Sequence, residues 1–197
     1  MSGMRLPKSS GALVSMLDTV IGAGKVYYLA VPVTSGPRLW GLARKLNFAD
    51  LDGIRYKFGC QFDEEVLKPN IVAAGLLSQG LRKRFKEAYI INPSVLVAND
   101  WSPEEYRSFW RYVIRDKVSR VYLAPGWQYS HGCVEECVEA MNCGISVYDA
   151  IVMKRIESEA CRLVSLAIKE GLNQGFRIRF LELAREQFKE CATAECV

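Results

Sequence analysis

Short β-rich runs alternate with segments of helical period along most of this chain, and that alternation restricts the folds open to it. Residues 26–30, 88–91, 121–124 and 145–148 are apolar runs rich in Val, Ile, Leu and Tyr, the signature of buried strands. Between and around them lie helical patterns. Leu13, Met16, Leu17, Val20 and Ile21 recur at helical spacing over residues 11–21. Pro69 suits a helix start, and Ile71, Val72, Leu76, Leu77 and Leu81 carry the period through residues 70–85. Ser102-Pro103-Glu104-Glu105 reads as an N-cap with Glu at the third helical position, opening a helix to about residue 116. A further helix is expected over residues 133–141 and a short strand around 54–58. Strands alternating with helices imply right-handed βαβ units. The expected fold is α/β, a Rossmann-like or flavodoxin-like three-layer sandwich with a mainly parallel sheet. Two closing helices, at 149–169 and 176–191, follow the last strand.

At 197 residues, with 50% hydrophobic and 24% charged side chains, the chain is long and apolar enough for one domain with a sizeable core. We expect a single domain over 1–197, with an α/β core at 25–149 and a helical appendage at 150–197. A net charge of +4 is too weak to argue for a nucleic-acid polymer. The densest basic cluster, Arg82, Lys83, Arg84 and Lys86, reads as a solvated helix face. No apolar run approaches the length of a bilayer span, so no membrane partner is expected. Seven cysteines without a CxxC pair or an export signal read as reduced thiols in a cytoplasmic protein. His131, Cys133, Cys137 and Cys143 follow no common zinc spacing, and neither metal nor cofactor is expected. The segment Ile21-Gly22-Ala23-Gly24-Lys25 echoes a phosphate loop, but Thr19 stands where that motif needs its first glycine, and a strand follows where one should precede.

The stretch 121–140 holds the best candidate site. A buried strand meets Pro125-Gly126, a small polar stretch, and then a helix opening with Glu135 and Glu136. In open α/β sheets ligands bind at the carboxyl ends of strands, where helix N-termini offer free N–H groups to anions.

Three motifs here carry a resemblance. Tyr28-Leu29-Ala30-Val31-Pro32 resembles the Tyr-x-Ala-Gly-Pro that ends the first strand in the nucleoside 2-deoxyribosyltransferase-like superfamily. Ile91-Asn92-Pro93 resembles the Asn-Pro after the second strand in one branch. Leu123-Ala124-Pro125-Gly126-Trp127, then Ser130-x-Gly132 and Glu136-x3-Ala140, resembles that branch's Leu-Pro-Gly-Trp … Ser-x-Gly-x3-Glu-x3-Ala signature. Order and spacing agree over roughly 25–149, with an unmatched insert near 56–67. The superfamily includes transferases that exchange bases on deoxyribose and hydrolases that split nucleoside 5′-monophosphates.

The resemblance implies N-glycosidic bond cleavage or transfer on a nucleoside or its 5′-monophosphate. Glu136 matches the nucleophilic glutamate that forms a covalent glycosyl intermediate. A first-turn position is expected to keep it ionised through the helix dipole, as first-turn acids also are without any function. Glu135 is expected to point away into solvent. Tyr28 matches a tyrosine that orients the nucleophile or sugar; a core aromatic on a strand fits it equally. Ser130 and Gly132 match the turn that binds the ligand's 5′ end, although a serine there also serves as an ordinary cap. Ser35 and Arg38 are candidates for further phosphate contacts. Asn92 either touches the sugar or holds an ordinary turn. Trp127 either stacks on a base or covers the sheet edge, whereas Trp101 and Trp110 read as packing residues. The resemblance also implies a homodimer or larger.

Departures from the family pattern leave other readings open. Ser119 stands where relatives carry an Asp before the third strand, and no acid falls near residues 110–112, where they carry another. Asp116 is off register, and Val31 replaces a Gly. General acid catalysis then falls to His131, unless that imidazole is simply a turn histidine. A nucleotide-binding module without catalysis, and an interaction protein working through its C-terminal helices, remain alternatives.

Overall fold

A computed structural model describes residues 10–22, 24–96 and 100–194. The elements run α1 (Ser10–Ile21), β1 (Lys25–Ala30), α2 (Pro37–Leu46), α3 (Ile54–Lys57) and α4 (Gly59–Phe62), then a π-helical turn (Asp63–Leu67) that leads into α5 (Lys68–Arg84). Next come β2 (Ala88–Ile91), a 3-10 turn (Pro93–Val95), α6 (Pro103–Lys117), β3 (Arg120–Leu123) and a second 3-10 turn (Trp127–Tyr129). The chain closes with α7 (His131–Asn142), β4 (Ser146–Asp149), α8 (Glu157–Asn173) and α9 (Arg179–Ala194).

The four strands form one parallel sheet in the order β2-β1-β3-β4. Tyr28 pairs with Ile91 on one side and with Val121 on the other, and Val121 pairs with Val147. A sheet wrapped on both faces needs strands that are apolar throughout. β1 meets this, with Val26 through Ala30 all buried. Successive residues serve opposite layers. Tyr27, Leu29 and Tyr122 join Ala74 and Leu81 of α5 on one face, while Tyr28, Val121 and Val147 join residues of α2, α6 and α7 on the other. The α/β three-layer expectation therefore holds.

Local signals placed most elements. The Ser102–Glu105 capping box forms in both directions, with Glu105 N–H on Ser102 Oγ at 3.2 Å and Ser102 N–H on Glu105 Oε2 at 2.8 Å. The strand expected around residues 54–58 is instead the helical turn of α3. Among the described residues no strand pairs with it, and Ile54, Phe62 and Val66 bury themselves at multiples of four as the chain continues helically. α2 was not among the expected elements, although Leu39, Leu42, Ala43 and Leu46 recur at helical spacing with Arg38, Arg44 and Lys45 on the opposite face. It forms because Pro37 presets the first turn, Leu39, Trp40, Leu42 and Ala43 are buried, and Asn47 closes it in the left-handed region at φ 49°.

α8 starts later than expected. Residues after β4 first make a tight turn in which Asp149 Oδ1 accepts from the N–H groups of Ile151 and Val152. The chain then returns to bridge Tyr148 with Arg155. α8 and α9 bury Val164, Ile168, Leu181 and Phe188 in the same core as the sheet face under α7.

Candidate functional site

The strand order reverses between β1 and β3, because β2 lies on one flank of β1 and β3 on the other. That switch point opens a crevice where the two following loops part. Here the loops are held close. Ala124 N–H donates to Ala30 carbonyl at 2.9 Å, and Ser35 Oγ donates to Ser130 Oγ at 2.7 Å. Asn70 of α5 pins the first loop, its amide donating to the carbonyls of Val33 and Ser35 at 2.9 and 3.2 Å. Two glycines permit the approach. Gly36 has φ +84° and a Cβ there would fall 2.7 Å from Pro32 Cβ, while Gly126 has φ +79° and lies against the Pro37 ring.

Ser130 is the N-cap of α7, with its Oγ accepting from Cys133 N–H at 3.5 Å. Gly132 lies in the first turn with open space where a side chain would be. Arg38 is exposed at the second position of α2. Ser35 and Ser130 therefore meet at the sheet's carboxyl end, and Arg38 and Gly132 lie in the first turns of the two helices that start there.

α7 packs against β1, β3 and β4. Its Cys133, Val134, Cys137 and Val138 are buried toward the sheet. Glu136, beside them, brings its carboxyl onto β1. Tyr28, fully buried, donates its hydroxyl to Glu136 Oε1 at 2.6 Å. The Trp110 ring leans over Tyr28 at 5.7 Å between centroids, backed by Phe109 and Trp101. The site thus has an aromatic wall. Trp110 packs as the sequence reading expects, but its contact with Tyr28 carries no sequence signal.

The electrostatics correct one expectation. α7 begins at His131, so Glu136 falls in its second turn and not its first. Its backbone N–H already has a helical partner, and the end charges of a helix fade within a turn. Burial dominates instead and lifts the Glu136 carboxyl to about 8, although the Tyr28 hydroxyl bond pulls it down and the Glu135 charge pushes it further up. The free protein therefore holds Glu136 largely protonated at neutral pH. Burial, with the Glu136 charge second, likewise keeps the Tyr28 phenol protonated.

Glu135 is not a solvated neighbour. Its carboxylate meets His131 Nε2 at 3.2 Å and Arg107 Nε at 3.5 Å. Burial alone would raise it, but the His131 bond and the charges of His131, Arg107 and Arg111 outweigh that and hold it below the usual range. His131 is thereby engaged with Glu135, and its ring lies 4.9 Å from that of Phe180 on α9. A polar cleft of about 230 Å³ lies on this side, lined by Arg111, Glu135, Val138, Glu139, Asn142 and Gln187.

Other candidates settle elsewhere. Trp127 is 3% exposed in the core beneath its 3-10 turn, so its ring presents no face to a ligand. Asn92 is buried, and its Oδ1 accepts from Ser94 N–H at 3.0 Å, which is the Asn-Pro turn geometry. Ser119 Oγ donates to Val26 carbonyl at 2.9 Å, at the amino end of β3 and so away from the strand carboxyl ends. Tyr129, unmarked in the sequence, ties the turn before α7 to α8 through a 2.7 Å bond to Glu170. Comparison with protein-family models, with curated proteins and with solved structures gives no match.

Proposed function

We propose that this chain cleaves or transfers the N-glycosidic bond of a nucleoside or nucleoside 5′-monophosphate, with Glu136 as nucleophile. The reading rests on one observation above others, the 2.6 Å bond between Tyr28 and Glu136. The family resemblance gives Glu136 as the nucleophile and Tyr28 as a tyrosine that orients either the nucleophile or the sugar, and this bond favours the first of those roles. In this reading Tyr28 holds Oε1 and leaves Oε2 for the sugar. An ionised Glu136 attacks the anomeric carbon, the C–N bond breaks, and its electron pair leaves with the base, which takes a proton. Water or a second base then releases the sugar. Ser35, Ser130, Gly132 and Arg38 face the 5′ end, where hydroxyls, free N–H groups and a guanidinium suit a phosphate. The resemblance also leads us to propose a homo-oligomer.

A second reading has its own support. Glycosidases of this kind usually protonate the leaving group with a second carboxyl. Among the described residues, the nearest acid in sequence, Glu135, is committed to His131 and Arg107. A nucleotide-binding module without catalysis accounts for that arrangement.

One experiment separates them. The protein and Glu136→Gln are incubated with ribo- and deoxyribonucleosides and their 5′-monophosphates, and free base is followed by chromatography. Base release by the wild type, lost in the variant, supports the glycosidase. Ligand-dependent thermal stabilisation without base release supports the binding module. Neither effect from any member of the panel overturns both.

A further inference from the structure

The π-helical turn at Asp63–Leu67 runs into α5 without a break, so residues 63–84 form one helical run. Asn70, Ala74, Ser78 and Leu81 set its buried face. On the opposite side, at spacings of four, three and four, Val72, Leu76, Gln79 and Lys83 form an exposed stripe. Val72 is 62% exposed and Leu76 65%, and Ile71 flanks them at 38%. Gly75, beside the stripe, has open space where a side chain would stand.

Charge is divided along this run. Asp63 and Glu64 are exposed at its start, and Arg82, Lys83, Arg84 and Lys86 are exposed at or just beyond its end. No described carboxylate pairs with any of those four cations. Glu64 pairs only with Lys68 one turn on, and both stay mostly in solvent, so the pair contributes little. That pairing also places Glu64 on the side of the helix that carries Lys68 and the stripe.

Glu64 and Lys83 lie nineteen residues apart, about 28 Å of helix. Their midpoint falls between residues 73 and 74, within the apolar part of the stripe. Two copies laid antiparallel about a two-fold axis at that midpoint would bring Glu64 of each onto Lys83 of the other. Val72 would face Gly75 and Leu76 would face Ile71 across the middle, where Ala73 and Gly75 allow close approach. A parallel pair would set base on base and acid on acid. We propose that the outward stripe of α5 is a self-association surface whose occupant is the same stripe of a second copy, antiparallel and isologous. One helix pair makes a small interface, so the dimer is weak, reversible and sensitive to salt.

The test is sedimentation equilibrium of the full chain from about 1 µM to about 1 mM, a range that captures weak association. The wild type is expected to dimerise more weakly as salt rises. Lys83→Glu and Glu64→Lys each place like charges face to face and are expected to weaken the dimer roughly tenfold or more. The double reversal restores opposite charges at both ends and is expected to recover most of the loss. Leu76→Asp is expected to abolish association. All these positions are exposed, and an unchanged thermal melt confirms that each variant folds. A wild type monomeric throughout overturns the proposal. So does a dimer indifferent to Leu76→Asp and the single reversals, or a double reversal no better than either single.

Discussion

Tyr28 and Glu136 stand 108 positions apart in sequence and share a 2.6 Å hydrogen bond. One sits on the central strand of the sheet and the other in the second turn of the helix above it. The bond has a direction: the phenol donates and the carboxyl accepts. It favours the charged form of Glu136, but burial outweighs it, and the carboxyl titrates near 8.

That balance predicts a pH-dependent stability. Below its ordinary value of 4.5 the acid is protonated folded or unfolded. Between 4.5 and about 8 the folded state keeps the proton that the unfolded chain has lost. The stability linked to Glu136 is therefore fully present below 4.5, is lost as pH rises, and is gone above about 8. Glu136→Gln removes this dependence. Urea unfolding at pH 5, 7 and 9 is expected to show the variant gaining on the wild type by on the order of a few kcal/mol across that span.

The same carboxyl must ionise to act as a nucleophile. Base release is expected to rise with pH through about 8, the reverse of what a general acid at Glu136 would give. Tyr28→Phe removes the donor that favours the carboxylate. Its pH–rate profile is expected to shift upward by about one unit, with roughly tenfold lower kcat/KM at neutral pH. A profile unmoved by the loss of the hydroxyl would detach Tyr28 from the nucleophile.

Ser130 serves two partners, capping α7 and accepting from Ser35. Ser130→Ala is expected to cost about 1 kcal/mol through the cap, with a further loss because the half-buried contact with Ser35 disappears. Ser35→Ala keeps the cap and is expected to cost less. Thermal melts of the two variants order them, and an equal loss would place the stability in the hydroxyl pair instead of the cap.

Gly126 combines φ +79° with a Pro37 ring that fills the place a Cβ would take. Gly126→Ala strains the backbone and pushes the turn after β3 away from α2. The expected loss is about 2 kcal/mol, read by urea unfolding. Any stabilisation by a bound nucleotide is expected to weaken further, because the two loops of the crevice no longer meet.

Boundaries that rest on neighbours in sequence were readable from the residues. The Ser102–Glu105 box is closed by atoms three residues apart, and the strand runs show their burial on both faces through composition alone. The start of α7 was not readable in that way. His131 and Gly132 look like the end of a polar turn, yet Ser130 caps the helix ahead of them, which moves Glu136 out of the first turn and reverses the expected charge state. Trp127 shows the same limit, because an aromatic after Pro-Gly says nothing of which way its ring folds, and α8 and α9 close over that side of the core. α2 carries a helical period of its own in Leu39, Leu42, Ala43 and Leu46, but its place was decided by Trp40, which packs against Tyr129 and Phe176 at 4.8 and 5.3 Å between ring centroids.

By itself the sequence determined the α/β class and the parallel strands, because periodicity and caps act over a few residues and strand burial is written in composition. Only the tertiary structure decided the state of the site. The proton on Glu136, the commitment of His131 to Glu135 and the wall that Trp110 makes over Tyr28 all depend on how much water each group loses and which charges face it, and those are set by elements far apart in the chain.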